Sequence, residues 1–513
     1  MLGGGVGFSI KREGIHELPR IKDGVKITHQ FTKDADFIVP DSREGWVYLL
    51  RKVLKCYFET GKAFSYSTLL VRDYGEQIKG LGGTASGAKI LVEGIENICK
   101  VLDGRIGKKL RSVDVLDVCN IIGSIVVSGN IRRSAQIALG DPDDYLFIRA
   151  KRWDLGNIPN WRALSNNTIY ADDFTHISND IWEGYQGNGE CYGFFNIKLS
   201  QKYGRLGEIR KDNCEGGNPC LEITLANKEC CNLSELYLNN IESKKELIDC
   251  AKLLYKTQKA VCNLNFLHDD TNKIVHKNMR IGIGITGICQ SMNKIEWLDD
   301  CYNTIREFDK KWSEKKGYNE SIKISTIKPS GTLSLLSGAT PGIHPAYSKY
   351  YIRRIRMAKD DTLVNICRGL GYRVEQVENY DGTKDEKTIL VEFPCFSGDN
   401  TIIAKDMTAI KQLELVKLLQ TKWSDNSISV TVYFKKEELP EIKKWLKDNY
   451  KDGIKSVSFL LHKEHGFKQS PYEEITEEKY KELMNNIKPI QSIMIGNEHI
   501  DFEECSKGSC PIK

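Results

Sequence analysis

An α/β fold is what this sequence predicts, on three observations. Helical and strand signals alternate along the chain, with no repeat and no low-complexity linker before the C-terminal region; that is the pattern of helices laid against a sheet. The 513 residues are 40% hydrophobic, enough to bury a large core. Individual segments also carry the periods that such a fold needs.

A helix is predicted from Ser243, where Glu246 completes a capping box and Leu247, Ile248, Ala251, Leu254 and Tyr255 share one face. Strands are predicted at the apolar run Thr388 to Phe393, suited to cover on both faces, and at the alternating Ile428, Val430, Val432 and Phe434. From Ile490 the text turns irregular and ends FEECSKGSCPIK, the composition of a mobile tail. The economical division is one large α/β domain over residues 1–489 and a flexible tail over 490–513.

Charged residues are 28% of the chain and nearly cancel to a net +5, without long like-sign runs, so neither a nucleic-acid groove nor a membrane patch is indicated. A small phosphorylated substrate is compatible. No run approaches the roughly eighteen apolar residues of a membrane span, and the start lacks a secretory layout; the cytoplasm is the expected address. The 16 cysteines are scattered singly, as reduced thiols are, and form no disulfide scaffold.

The segment Asn213 to Glu235 reads NCEGGNPCLEITLANKECCNLSE. Gly216, Gly217, Asn218 and Pro219 make a strong turn signal leading into Cys220. In an extended loop Asn218, Cys220 and Glu222 would point to one side, bringing an amide, a thiol and a carboxylate together. NPCLE followed by CNLSE resembles the active-site finger loop of ribonucleotide reductases.

That resemblance implies that Cys220 is a thiyl radical removing the 3′ hydrogen of a ribonucleotide, that Glu222 is the base on the 3′ hydroxyl, and that Asn218 bonds the ribose hydroxyls. In the family a cysteine pair supplies the two reducing electrons, and Cys231 matches one member. Neighbouring Cys230 competes for this role, since adjacent strand residues face opposite sides; Cys231 is chosen for its place before NLSE. Cys505 and Cys510, in CSKGSC, resemble the family's C-terminal shuttle, which reduces the active-site disulfide and is itself reduced by a thioredoxin-like protein. Read without the family, that pair is equally a metal half-site or chance.

Lys328 to Ser337, KPSGTLSLLS, is a turn rich in small and hydroxyl residues that could offer donors to phosphates, or simply cap a helix. The longer text STIKPSGTLSLLSGATPGIHPAYSKYYIRRIR resembles the phosphate-binding loop of adenosylcobalamin-dependent (class II) reductases, which makes Ser330, Gly331, Thr332 and Ser334 substrate-phosphate candidates. SGNIRRSAQ resembles the loop that couples a deoxynucleotide effector to substrate choice, and there Asn130, Arg132, Arg133 and Gln136 are the candidates; the two arginines are otherwise surface charges. RALSNNTI, KGLGGTASG and LGGGVGFSI also resemble class II text, and PDSREGW the monomeric, triphosphate-using branch.

Gly282, Gly284 and Gly287 satisfy GxGxxG, with Asp299 or Asp300 near the place of a ribose-binding acid. We read these glycines as packing positions of the barrel, since the reductases carry similar glycine-rich text there.

The fold implied is a ten-stranded α/β barrel with the Cys220 loop at its centre, and the cofactor implied is adenosylcobalamin. No metal ligand set is read. One departure bears on chemistry: the family's partner of Cys231 precedes the text matching LGGGVGFSI, which here begins at Leu2, and the first cysteine is Cys56. The expectation is a chain lacking its N-terminal strand and completed by a second polypeptide; Cys214 or Cys230 is a weaker substitute. Two other readings stay open, a class I large subunit and a non-catalytic nucleotide-binding remnant. The tail has no tandem tyrosine for the first, Tyr350 and Tyr351 lying elsewhere, and retention of Asn218, Cys220, Glu222, Cys231, Cys505 and Cys510 argues against the second.

Overall fold

The computed structural model describes residues 4–76, 85–127, 135–156, 158–175, 177–206, 211–331, 333–359, 361–378, 383–462 and 469–490. Its centre is a six-stranded sheet in the order Val6–Ser9, Gln136–Gly140, Ser165–Tyr170, Gly193–Phe195, Ser456–Leu461 and Thr431–Phe434. The first four run parallel, the fourth meets Ser456–Leu461 antiparallel, and the last pair is parallel again. Two parallel blocks therefore face in opposite directions.

A parallel bridge from Ile428 to Ile327 carries the second block into a three-stranded parallel sheet, Ser325–Thr326, Gly282–Thr286 and Leu233–Tyr237. Every residue of Gln136–Gly140 and of Gly282–Thr286 is buried, as strands covered on both faces require. The outer cover comes from helices such as Ser112–Val127, Lys244–Cys262, Trp297–Lys316, Ala409–Lys422 and Leu439–Gly453. The series ends at Val6–Ser9 and Leu233–Tyr237, and no ladder among the described residues joins those two strands.

The Ser243 helix forms as its periodicity predicts, with the Ser243 hydroxyl accepting from the Glu246 N–H at 3.2 Å. The Glu246 carboxylate takes the N–H of Glu242 at 2.7 Å, one residue earlier than the predicted capping box would have it. Thr388 to Phe393 lies within the strand Lys384–Phe396, but in an outlying antiparallel sheet with Tyr350–Ala358, Val374–Glu378 and Tyr472–Glu474. That sheet has its own small core of Val364, Cys367, Ile389 and Val391, against which Ile490 still packs. A fourth sheet, of three strands, Ile27–Gln30, Phe64–Ser67 and Phe37–Ile38, lies near the N-terminal end with the helix Arg43–Lys55. No helix among the described residues is long and apolar enough to cross a membrane.

The protein interior holds an ionic cluster. Arg280 donates to both oxygens of Asp212 at 2.7 Å, to Glu229 at 3.1 Å and to the Thr224 hydroxyl at 3.1 Å. Lys323 reaches Asp212 at 2.7 Å, Thr224 at 2.9 Å and the Ser200 carbonyl at 2.6 Å. Burial alone would raise the Asp212 carboxyl, but Lys323 and Arg280 outweigh it and hold the group well below the usual aspartate range. These charges stand almost wholly out of water, where only mutual pairing makes them tolerable.

Arg280→Met or Asp212→Asn strands an uncompensated charge in that interior and should cost about 3–5 kcal/mol in a urea titration; a loss under ~1 kcal/mol would contradict the pairing described. Because Asp212 titrates lower in the folded chain, its contribution is present above the ordinary value of 3.8 and is lost as pH falls through the folded value. Acid titration of stability should show that loss in the parent chain and not in Asp212→Asn.

Candidate active site

A hairpin inside the barrel carries the chemistry. Gly216–Gly217 pairs antiparallel with Thr224–Leu225, and Asn218 to Ile223 form its tip. The tip is closed by three bonds: Leu221 N–H to the Asn218 carbonyl at 2.8 Å, Asn218 N–H to the Ile223 carbonyl at 3.2 Å, and Ile223 N–H to the Asn218 side-chain oxygen at 3.0 Å. Leu221 sits at φ 57, a left-handed conformation that a branched side chain adopts only under constraint. The constraint is visible: Leu221 plunges into an apolar cluster with Ile137, Leu139, Tyr170 and Phe195, while the preceding Cys220 stays exposed. The tip is thus a tight turn and not the extended loop expected from sequence. Asn218 spends its oxygen inside the turn, and its side chain also faces the Glu222 carboxylate.

Glycines make room for this hairpin. A Cβ on Gly7 would stand 2.0 Å from the Gly217 carbonyl oxygen, one on Gly5 2.5 Å from Pro219, and one on Gly282 2.4 Å from Ile223. The glycine-rich text LGGGVGFSI and the GxG of RIGIGITGI are therefore set by the same loop. Gly282 and Gly284 lie within a strand and open no helix, so the dinucleotide fingerprint is a packing feature here. Polar anchors fix the loop further. The Glu222 carbonyl accepts from Ser427 N–H at 3.1 Å and the Thr326 hydroxyl at 2.8 Å, and the Pro219 carbonyl accepts from Asn166 at 3.2 Å.

Glu222 is buried, its Oε2 has no hydrogen-bond partner, and burial raises its pKa, with Asn218 and Lys328 opposing. Such a carboxylate is a poised proton acceptor. The Cys220 thiol is pushed up to about 12, by burial first and then by Glu222 and Cys231, with Lys328 opposing. Cys231, exposed in the loop before Leu233–Tyr237, is pushed up to about 11 by burial, Glu222 and Cys230. Both sulfurs therefore carry hydrogen at neutral pH, the state that donates a hydrogen atom or proton and not the thiolate that attacks as a nucleophile.

The electrostatic neighbours of Cys220 include Cys231 but not Cys230, whose thiol is raised by burial and by Glu229. The structure brings Asn218, Cys220, Glu222 and Cys231 together. Cys214 is excluded from that group, being wholly buried with its sulfur donating to the Ser200 carbonyl at 3.2 Å.

In the predicted phosphate loop, Ser330 is buried with its hydroxyl unpartnered, and a Cβ on Gly331 would meet only the Pro329 carbonyl oxygen, at 3.8 Å. Ser334 is buried and its hydroxyl is bonded to the Ser330 carbonyl, so it shapes the loop and is not free for a ligand as expected. Thr332 lies outside the described residues, as do Asn130, Arg132, Arg133, Cys505 and Cys510. Gln136 begins a strand of the central sheet; its Nε2 donates to the Cys119 carbonyl at 2.9 Å on the helix Ser112–Val127, and its Oε1 has no hydrogen-bond partner. No group of three or more metal-ligating side chains occurs among the described residues.

Sequence reasoning missed Lys328 and Glu235, which pair at 3.3 Å beside the hairpin, and the whole Asp212–Arg280–Glu229–Lys323 cluster beneath it. The available signal was a single charge at the edge of each apolar strand text, as in RIGIG and KISTIK.

Residues 303–460 match the family model for the ribonucleotide reductase barrel domain, and residues 18–102 match that for the insertion domain of B12-dependent ribonucleotide reductase. The adenosylcobalamin-dependent ribonucleoside-triphosphate reductase of Lactobacillus leichmannii is 33% identical over 100% of this chain and 79% of its own length. That of Euglena gracilis is 35% identical over 97% of this chain and 68% of its own, and a Dictyostelium discoideum relative is 35% identical over 100% and 70%. A crystal structure of a B12-dependent (class II) ribonucleotide reductase superposes with a TM-score of 0.83 at 30% identity, covering 95% of this chain and 76% of that one. A hairpin that presents a protonated thiol beside a buried carboxylate, on a barrel matched in sequence and in shape, places this chain in the adenosylcobalamin-dependent, class II family of ribonucleotide reductases.

Proposed function

We propose that this chain reduces ribonucleoside triphosphates to 2′-deoxyribonucleotides by radical chemistry at Cys220. The observation that carries the reading is the pairing of a protonated, approachable thiol with a buried carboxylate whose Oε2 lacks a partner. The relatives' shared description supplies the substrate class. The residues present fit a radical-supplying cofactor, because Cys220 is exposed at the loop tip while Leu221 and Glu222 are buried, so a bulky group can approach the sulfur. Adenosylcobalamin, when bound, supplies the radical from which the chemistry starts.

On the chain's side, once its own hydrogen has been given up to the radical source, the Cys220 sulfur takes the hydrogen from C3′, forming S–H again as C3′–H breaks. Glu222 accepts the 3′ hydroxyl proton, and the amide of Asn218 orients the ribose. The 2′ hydroxyl leaves as water with a proton from Cys231. Two electrons come from Cys231 and a second thiol, which close a disulfide as the second thiol's hydrogen goes to C2′ and Glu222 returns its proton to the 3′ oxygen; Cys220 then returns its hydrogen to C3′. Ser330, Gly331 and Thr332 hold the phosphates, with Ser334 shaping their loop. Asn130, Arg132 and Arg133 meet a deoxynucleotide effector. Cys505 and Cys510 reopen the disulfide by exchange and are reduced in turn by a thioredoxin-like protein.

The second thiol is carried by a strand that a second polypeptide supplies. The free thiols found throughout suit a reducing compartment, the cytoplasm.

Nucleotide reduction with adenosylcobalamin and a dithiol, with the strand supplied, should fall to background in Cys220→Ser; retained turnover would refute the radical assignment. Glu222→Gln should lower kcat by about 10²–10⁴. The parent rate should decline on acidification at a pH above the ordinary carboxylate range, since the Glu222 pKa is raised and its charged form is the base. A rate independent of pH down to ~4 would contradict that role.

A further inference from the structure

Among the described residues, Lys328 is the cation whose charge opposes the raised pKa of both Cys220 and Glu222. It follows the strand Ser325–Thr326 and heads the phosphate loop, and its stem lies by Gly284, on the strand whose Gly282 meets Ile223 of the hairpin. Its Nζ lies 3.3 Å from Oε2 of Glu235, whose side chain is 4% exposed against 20% for the lysine. Neither carboxylate oxygen of Glu235 has a hydrogen-bond partner, so the lysine is what holds that charge in place.

The path between them is cut by a glycine. Glu235 and Gly284 are register partners on neighbouring strands, and a Cβ on Gly284 would stand 3.3 Å from Cγ and 3.5 Å from Cδ of Lys328. The aliphatic stem of the lysine therefore lies over the bare face of Gly284. An ion pair built only for stability needs no such groove and no position facing two reacting groups.

We propose that Lys328, held by Glu235 over Gly284, is a positioning residue that keeps a fixed positive charge facing Glu222 and Cys220 during nucleotide reduction. The proposal deepens the reading of Glu222 as the base and rests on it. The titratable groups that reach Glu222 are Cys220, Cys231 and Lys328; its remaining partners are the neutral Asn218, Ser427 and Thr326. Asn218, through its hydrogen bond, and Lys328, through its charge, favour the ionised carboxylate, while burial opposes it. In the sequence it appears only as the first letter of KPSG.

The test compares Lys328→Met and Lys328→Arg with the parent chain by two readouts. In kcat/KM against pH, Lys328→Met should move the acidic limb up by about one pH unit, and Lys328→Arg should restore it. In alkylation of Cys220 by iodoacetamide at fixed pH, read by mass spectrometry on the full chain, Lys328→Met should slow the reaction about tenfold, and Arg should again restore it. Superposable profiles and alkylation rates for Met and parent would overturn the proposal, whatever the change in thermal stability. If Glu222→Gln keeps the parent's acidic limb, the base assignment fails separately, and alkylation of Cys220 alone decides the role of Lys328.

Discussion

The finger hairpin stands on a buried guanidinium. Arg280 ties Asp212, Glu229 and Thr224 into one cluster, and Thr224 is also the residue at which the hairpin's return strand begins. Glu229 in turn accepts the Ala226 N–H at 2.8 Å, so the segment that leaves the hairpin is fastened to the same charges. Lys323 adds a second cation from the neighbouring strand end. A loop inside a barrel would otherwise be a burden, since its backbone groups are far from water. Here each anchor satisfies a polar group and fixes a position at once.

That anchoring decides the chemistry above it. With the base of the hairpin immobile, the tip can hold Leu221 in a strained left-handed conformation, and that conformation turns Cys220 outward while Glu222 turns in. The two reacting groups are thereby held on adjacent turns of chain with opposite exposure. Both sulfurs are held protonated, and burial raises the pKa of the carboxylate, a balance suited to hydrogen-atom transfer and proton acceptance, and unsuited to nucleophilic attack. The cost falls on the barrel strands, which give up side chains at Gly5, Gly7 and Gly282 to let the loop pass.

Much of this was legible in the sequence because the constraints are local. NPCLE, CNLSE and the turn at Gly216–Pro219 announce the hairpin and its reacting residues, and the capped helix at Ser243 follows from its period. Long-range features were not legible. Arg280 and Asp212 are far apart in the chain, and nothing in either neighbourhood marks them as partners. Gln136 stood in text that resembles a loop, yet strand pairing with Val6 and Ser165 and a bond to the helix Ser112–Val127 draw it into the barrel. Ser334 was one of several hydroxyls in a phosphate-like turn, and only the fold shows that its bond to Ser330 is internal. Lys328 and Glu235 needed the register of two strands before they could be seen as a pair.

The most direct measurement is a crystal structure of the chain with a bound ribonucleoside triphosphate. The account predicts a ribose over the hairpin tip, its 3′ hydroxyl on the unpartnered Oε2 of Glu222 and its C3′ facing the Cys220 sulfur, with the phosphates at Ser330 and Gly331. A nucleotide bound elsewhere in the barrel, with Cys220 and Glu222 untouched, would contradict it.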